Sequence, residues 1–383
     1  MQSARDILQQ LAAYGTPQNG ERVLELSVGL DQFIRRWKGE ILPFVQNGGA
    51  ELKFIEGPYG RGKTHCLLAM QAAADEMGFA TCLVDCGLEH PPFASLAETY
   101  RAIARNLSAA RHDSRGLAAL LKAASDDELR GLQEKSREHL AFANLAFEYV
   151  KRANAGAMQR ELANDLRALL EHDTGRPVTF RELYRALGSG SRRPLGRIGK
   201  RNAAAWLRSL LVLPKRLGYA GLVVLFDETG ADLHQGRSAV RRVRGHLAHM
   251  RQLVDQIATG GLPGCAIVYA STPDFVRNAA EEYPALHQRV ARAIADDAPL
   301  PPNPRAVWCG LDELTVPSSQ TNEFFTLLGK RLIGLGSEAG IADWHLSAVS
   351  RLLPTLASQH NTLVQGAVRE FVKTLCSHLL CQV

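Results

Sequence analysis

The chain has 383 residues, 46% of them hydrophobic and 22% charged, with a formal net charge of +6 at pH 7. That composition excludes an intrinsically disordered chain and suffices for one sizeable domain with appendages, or for two domains. No apolar stretch nears the roughly 20 residues that span a bilayer, the first residues lack the apolar segment of a secretory signal, and the seven cysteines are odd in number. A membrane protein and a secreted disulfide scaffold are therefore excluded, and a cytoplasmic protein is the expectation.

Residues 1–50 carry two helical patterns, over 4–14 and 30–44, joined by the turn-rich run Gly15-Thr16-Pro17-Gln18-Asn19-Gly20. They predict an N-terminal helical segment. An apolar run with Leu52, Phe54 and Ile55 then reads as a strand. Behind it stand Gly57, Pro58, Tyr59, Gly60, Arg61, Gly62, Lys63 and Thr64, which fit the phosphate-cradling pattern G-x-x-x-x-G-K-[ST] at every required position. Glycine lets the backbone curl until successive N–H groups converge on an anion at the positive end of the following helix. Lys63 is expected to reach the β- and γ-phosphates of ATP, and the Thr64 hydroxyl to hold Mg²⁺. His65, next in the helix, closes the nucleotide-binding stretch and reads as a packing residue rather than a catalytic one.

Gly78 ends that helix, and residues 80–85 read as a second buried strand, so a right-handed parallel crossover is expected. Cys82 and Cys86 are spaced C-x₃-C, but no second Cys/His pair stands nearby, and no zinc site is expected. From 93 to 187 the pattern is helical, the mark of an insertion. The connection 188–201 follows, mobile in its Gly and Ser and carrying Arg192, Arg193, Arg197, Lys200 and Arg201. It suits a phosphate backbone, and equally a solvated loop that keeps its charges wet.

Residues 221–228 form a solid apolar run ending in Asp227 and Glu228, as a buried parallel strand does when its carboxyl end faces a ligand. Asp227 is expected to bind in the Mg²⁺ shell, and Glu228 to orient and polarise the attacking water. A helix over 236–259 carries a stripe of arginines that faces a partner or water. Another buried strand, 265–272, ends in Ser271 and Thr272, which either sense the γ-phosphate or cap and turn the chain before Pro273. Arg289 and Arg292 are of the kind that a neighbouring subunit inserts into an ATP site, which would require a homo-oligomer; surface positions are the plain alternative. Residues 306–309 read as the last strand. Beyond Pro317 the chain is helical to its end, with Arg369 near the start of the last helix, where a lid would carry it onto bound nucleotide.

The expected architecture is thus α/β: a parallel-sheet P-loop NTPase core over 51–315, interrupted by a helical insertion over about 93–205, and closed by a C-terminal helical lid over 316–383. The runs 54–67, 78–80, 98–103, 225–228 and 368–372 together resemble the ATP-binding proteins of the BREX anti-phage systems, a P-loop family related to the AAA+ and origin-recognition ATPases. The resemblance implies ATP hydrolysis coupled to defence against phage DNA, with partners such as a helicase or a methyltransferase. It also aligns Arg369 with the lid arginine of related AAA+ proteins. An alternative reading keeps the same site in a nucleotide-controlled switch or loader, with DNA or protein bound and hydrolysis slow.

Overall fold

The apolar runs read from the sequence become strands because both faces of one sheet are covered by helices, so alternation with polar residues is not required. A computed structural model of the chain describes residues 3–16, 22–86, 93, 95–110, 115–125, 127–128, 142–155, 159–187, 196–229, 239–273, 275, 284–290, 307–311, 321–359 and 366–381. Among these, six strands, β1 (Ala50–Glu56), β2 (Ala80–Asp85), β3 (Leu107–Ala109), β4 (Leu222–Thr229), β5 (Cys265–Ser271) and β6 (Trp308–Gly310), form one sheet in the order β3-β2-β4-β5-β1-β6. Every pairing is parallel except that of β2 with β3. The sheet is therefore mixed, which corrects the expectation of a parallel one. A three-residue edge strand at the end of the helix Leu96–Asn106 has too few residues to show a period of two, and only the backbone of β2 defines it.

One face of the sheet, with Phe54, Val224, Phe226 and Tyr269, packs against the helices Leu96–Asn106 and Ala203–Arg216. The other, with Ile55, Leu225, Val268 and Ala270, packs beneath the helix Lys63–Glu76 and the segment 31–46. That segment includes a π-helical turn, Trp37–Ile41, and Trp37 is fully buried with its Nε1 donating to the Met70 carbonyl at 3.2 Å. A third core joins Ile7, Leu8 and Leu11 of the helix Ala4–Tyr14 to Leu332, Leu335, Phe371 and Leu375 of the helices Thr321–Glu338 and Ala367–Leu380. The first and last helices of the chain are thus packed together.

Within the sheet Phe54, Tyr269 and Phe226 stand opposite one another on β1, β5 and β4 and stack, with ring centroids 4.9 and 5.1 Å apart. Such pairs add about 0.5–1.5 kcal/mol each beyond their burial. They hold three strands in register two or three residues below their carboxyl ends, which is where the loops of the site emerge. No helix among the described residues is long and apolar enough to cross a membrane.

Candidate nucleotide-binding site

The glycine-rich loop leaves β1 and turns into the helix Lys63–Glu76 at Gly62, whose φ of 103° lies where a side chain is strained. Space is not the reason for glycine there, since a Cβ would meet nothing within 4 Å. Backbone conformation alone demands it. Lys63 is 6% exposed, and its Nζ donates to the carbonyls of Gly57 at 2.7 Å and Pro58 at 2.9 Å while standing 5.1 Å from the centroid of the Tyr59 ring. Burial lowers its pKa, and the charges of Asp227 and Glu228 oppose that shift.

Register places the acidic pair at the same level as the loop. Phe226 faces Tyr269 and Thr229 faces Ser271, so Asp227 and Glu228 together oppose the single residue Ala270 in a β-bulge. Glu228 takes a left-handed φ of 51° and is exposed, while Asp227 is 7% exposed. The bulge places two consecutive carboxylates in different surroundings, one buried and one exposed. Asp227 Oδ2 accepts from Thr64 Oγ1 at 2.6 Å, and its Oδ1 accepts from the Glu228 backbone N–H at 2.9 Å. Burial raises the pKa of Asp227, with these two hydrogen bonds acting against it. The pKa of Glu228, exposed yet partly desolvated, is raised by that desolvation first and by the charges of Asp85 and Asp227 next, while Lys63 and Arg369 pull it down.

Between the loop strand and the acidic strand lies β5, and at its tip the Ser271 carbonyl accepts from the Gly57 N–H at 3.1 Å. The Ser271 hydroxyl is buried with no hydrogen-bond partner among the described residues. The Thr272 backbone carbonyl accepts from the Phe275 N–H at 3.0 Å, which turns the chain without using the threonine hydroxyl.

A cleft opens over this constellation. Its polar floor is residues 59–65 with Asp227 and Glu228, and its apolar wall includes Leu26, Val28, Leu30, Phe324, Leu328 and Val368. Arg369 lines it as well, seated on Gly15, where a Cβ would come within 2.5 Å of the arginine Cγ. Gly15 is the left-handed cap of the first helix, so the close approach and the φ of 72° both select glycine.

His65 makes its hydrogen bond to Ser27. Ser27 Oγ donates to the Val23 carbonyl at 2.7 Å, so the 2.8 Å contact between Ser27 Oγ and His65 Nε2 is donated by the imidazole. Burial lowers the His65 pKa to about 4 and keeps the ring neutral. The Ser27 and Glu25 carbonyls accept from Arg331 Nη1 of the helix Thr321–Glu338. One strap, 22–31, is thereby hydrogen-bonded to the loop helix on one side and to a C-terminal helix on the other.

Sequence reasoning did not single out Asp85, although the apolar run before it gave the same signal as that before Asp227. It pairs in register with Asp227 across β2 and β4. Nor did it find the apolar wall, whose residues carry no motif. The side chain of Arg289, the whole of Arg292, residues 188–195 of the basic connection and the side chains of 239–246 lie outside the described residues.

No curated protein and no solved structure matches the chain. The family model for the BREX system ATP-binding protein BrxC/D matches residues 1–381, and the chain belongs to that family.

Proposed function

We propose that this ATP-binding family member is a Mg²⁺-dependent P-loop ATPase of AAA+ type, which couples its nucleotide state to DNA or to a DNA-acting partner in anti-phage defence. The observation that carries the reading is the 2.6 Å hydrogen bond from Thr64 to Asp227. It joins two motifs 163 residues apart, each of which the chemistry requires and neither of which is sufficient.

The donor set suits Mg²⁺. Thr64 and Asp227 offer two hard oxygens, and no cluster of three or more metal-ligating side chains stands among the described residues. A cation that keeps its waters and completes its shell with phosphate oxygens needs no more than that. When bound it neutralises charge developing on the phosphates.

The protein's own groups supply the rest. Lys63 exchanges the carbonyls of Gly57 and Pro58 for phosphate oxygens. Glu228, with its raised pKa and its exposed place in the bulge, orients a water and accepts its proton. The adenine ring occupies the apolar wall beside Val28 and Phe324, and Arg369 reaches the phosphates from the last helix. A neighbour's Arg289, in a homo-oligomer, remains the trans-acting element proposed from the sequence. A helicase or a methyltransferase is the kind of partner that the family setting suggests.

A nucleotide-controlled switch is the second reading, favoured by a cleft walled on one side by both ends of the chain. Turnover of wild type and Glu228→Gln, with and without DNA, separates the two. Glu228→Gln should bind ATP as wild type does and hydrolyse it about 100-fold or more slowly. Equal turnover would remove Glu228 from the mechanism, and tight ATP binding with no wild-type turnover under any condition would favour the switch.

A further inference from the structure

Away from the nucleotide cleft, the helical insertion carries a second depression, lined by Arg105, Arg115, Asn164, Arg167, Glu171 and Arg176 with neighbouring small residues and Asp173. Its four guanidinium groups come from four places in the chain: the end of the helix Leu96–Asn106, the loop before Leu117–Lys122, the helix Arg160–Leu170, and the loop after it. Three of them are braced. Arg167 Nε donates to Glu171 at 3.0 Å, Arg176 Nε to Asp165 at 2.6 Å, and Arg105 Nη2 to Asp173 at 2.9 Å. Glu161 also stands 3.9 Å from Arg176 Nη2, and each single N–H···O contact leaves the remaining N–H groups of its guanidinium to donate elsewhere.

Arg115 is different, since it is exposed and has no carboxylate partner among the described residues. The same holds for Arg197, in the described end of the basic connection, which lies within electrostatic reach of His172 together with Glu98, Arg101 and Arg105. The basic connection thus re-enters the fold beside the arginine depression.

We infer that this surface, Arg105, Arg115, Arg167 and Arg176 with Arg197 beside them, binds the phosphodiester backbone of a nucleic acid without reading its sequence. The chemistry selects that occupant. Positive charge spread over several elements suits a ligand that presents anions in series. Apart from its charged groups the depression offers, among the described residues, Gly116, Asn164 and Ala168, none of them an apolar or aromatic wall on which a nucleobase could rest. Phosphates are therefore recognised and bases are not. The inference deepens the DNA coupling proposed above, but it concerns a different surface from the ATP site.

The test is fluorescence anisotropy of a labelled duplex and a labelled single strand, titrated with the full chain without nucleotide at several salt concentrations. Omitting ATP separates this outcome from any failure of the ATPase reading. Arg115→Ala with Arg197→Ala removes two cations that brace no carboxylate, so the fold should survive. We expect about tenfold weaker binding, equal across sequences, and a slope of log K against log salt shallower by about 2. Arg115→Lys with Arg197→Lys should restore most of the affinity. Wild type that binds neither probe at low salt, or an alanine variant with unchanged affinity and slope, would overturn the assignment.

Discussion

The two halves of the cleft proposed to hold nucleotide, here called the phosphate half and the apolar half, are built in opposite ways. The phosphate half comes from nine consecutive residues, 57–65, and two more at the end of one strand, and its geometry is dictated by backbone φ, helix start and strand register. The apolar half comes from residues 26–30 and from Phe324, Leu328 and Val368, roughly three hundred positions away in the chain. Local hydrogen bonds define the first, whereas the second exists only once the first and last helices share a core. The difference teaches that phosphate affinity and base affinity should fail independently, one through charge and loop conformation, the other through packing of the chain ends.

The largest effect should come from the phosphate half. Lys63→Ala removes the loop's cation, and ATP and inorganic tripolyphosphate should both bind about 100-fold more weakly by calorimetry. If only ATP weakened, the loop would not be the phosphate site.

The strap that joins the halves gives an effect of similar size, on stability rather than on binding. His65 has a folded pKa of about 4 against 6.5 when unperturbed, so the unfolded chain takes up its proton first. The stability it contributes is present above pH 6.5 and is lost as pH falls toward 4, by up to about 3 kcal/mol. Thermal unfolding of wild type and His65→Gln across pH 4–7 measures this, and the variant should show the weaker pH dependence. Curves that stay parallel would mean that the imidazole is not desolvated by the strap.

The smallest effect lies in the apolar half. Phe324 is partly buried against the third core, and Phe324→Ala should weaken ATP about fivefold while leaving tripolyphosphate binding unchanged. Equal weakening of both ligands would place the loss in the fold rather than in the base wall.

The local structure of the glycine-loop half was largely legible because its requirements are local. A glycine at φ 103°, a lysine and a hydroxyl in consecutive positions, and two acids after an apolar run each leave a mark at fixed spacing. The same locality made β1, β2, β4 and β5 readable as apolar runs. Leu107–Ala109 was not, because three residues at a sheet edge are defined by their partner strand. Asp85 was missed because a lone acid after a strand acquires meaning only from the register that sets it opposite Asp227. His65 could be read as a packing residue from its place in the loop helix, but its contact with Ser27 could not.

The sequence by itself determined that a strand, a glycine-rich loop and a helix follow one another, and that a second apolar strand ends in two carboxylates. These follow from short-range backbone preference and from burial on both faces of a sheet. Tertiary structure alone decided that β5 stands between those two strands, that a bulge turns Asp227 toward Thr64 and Glu228 away, and that the chain's two ends meet to wall the cleft. Those outcomes depend on contacts between residues tens to hundreds of positions apart, whose side-chain types are common and whose spacing carries no period.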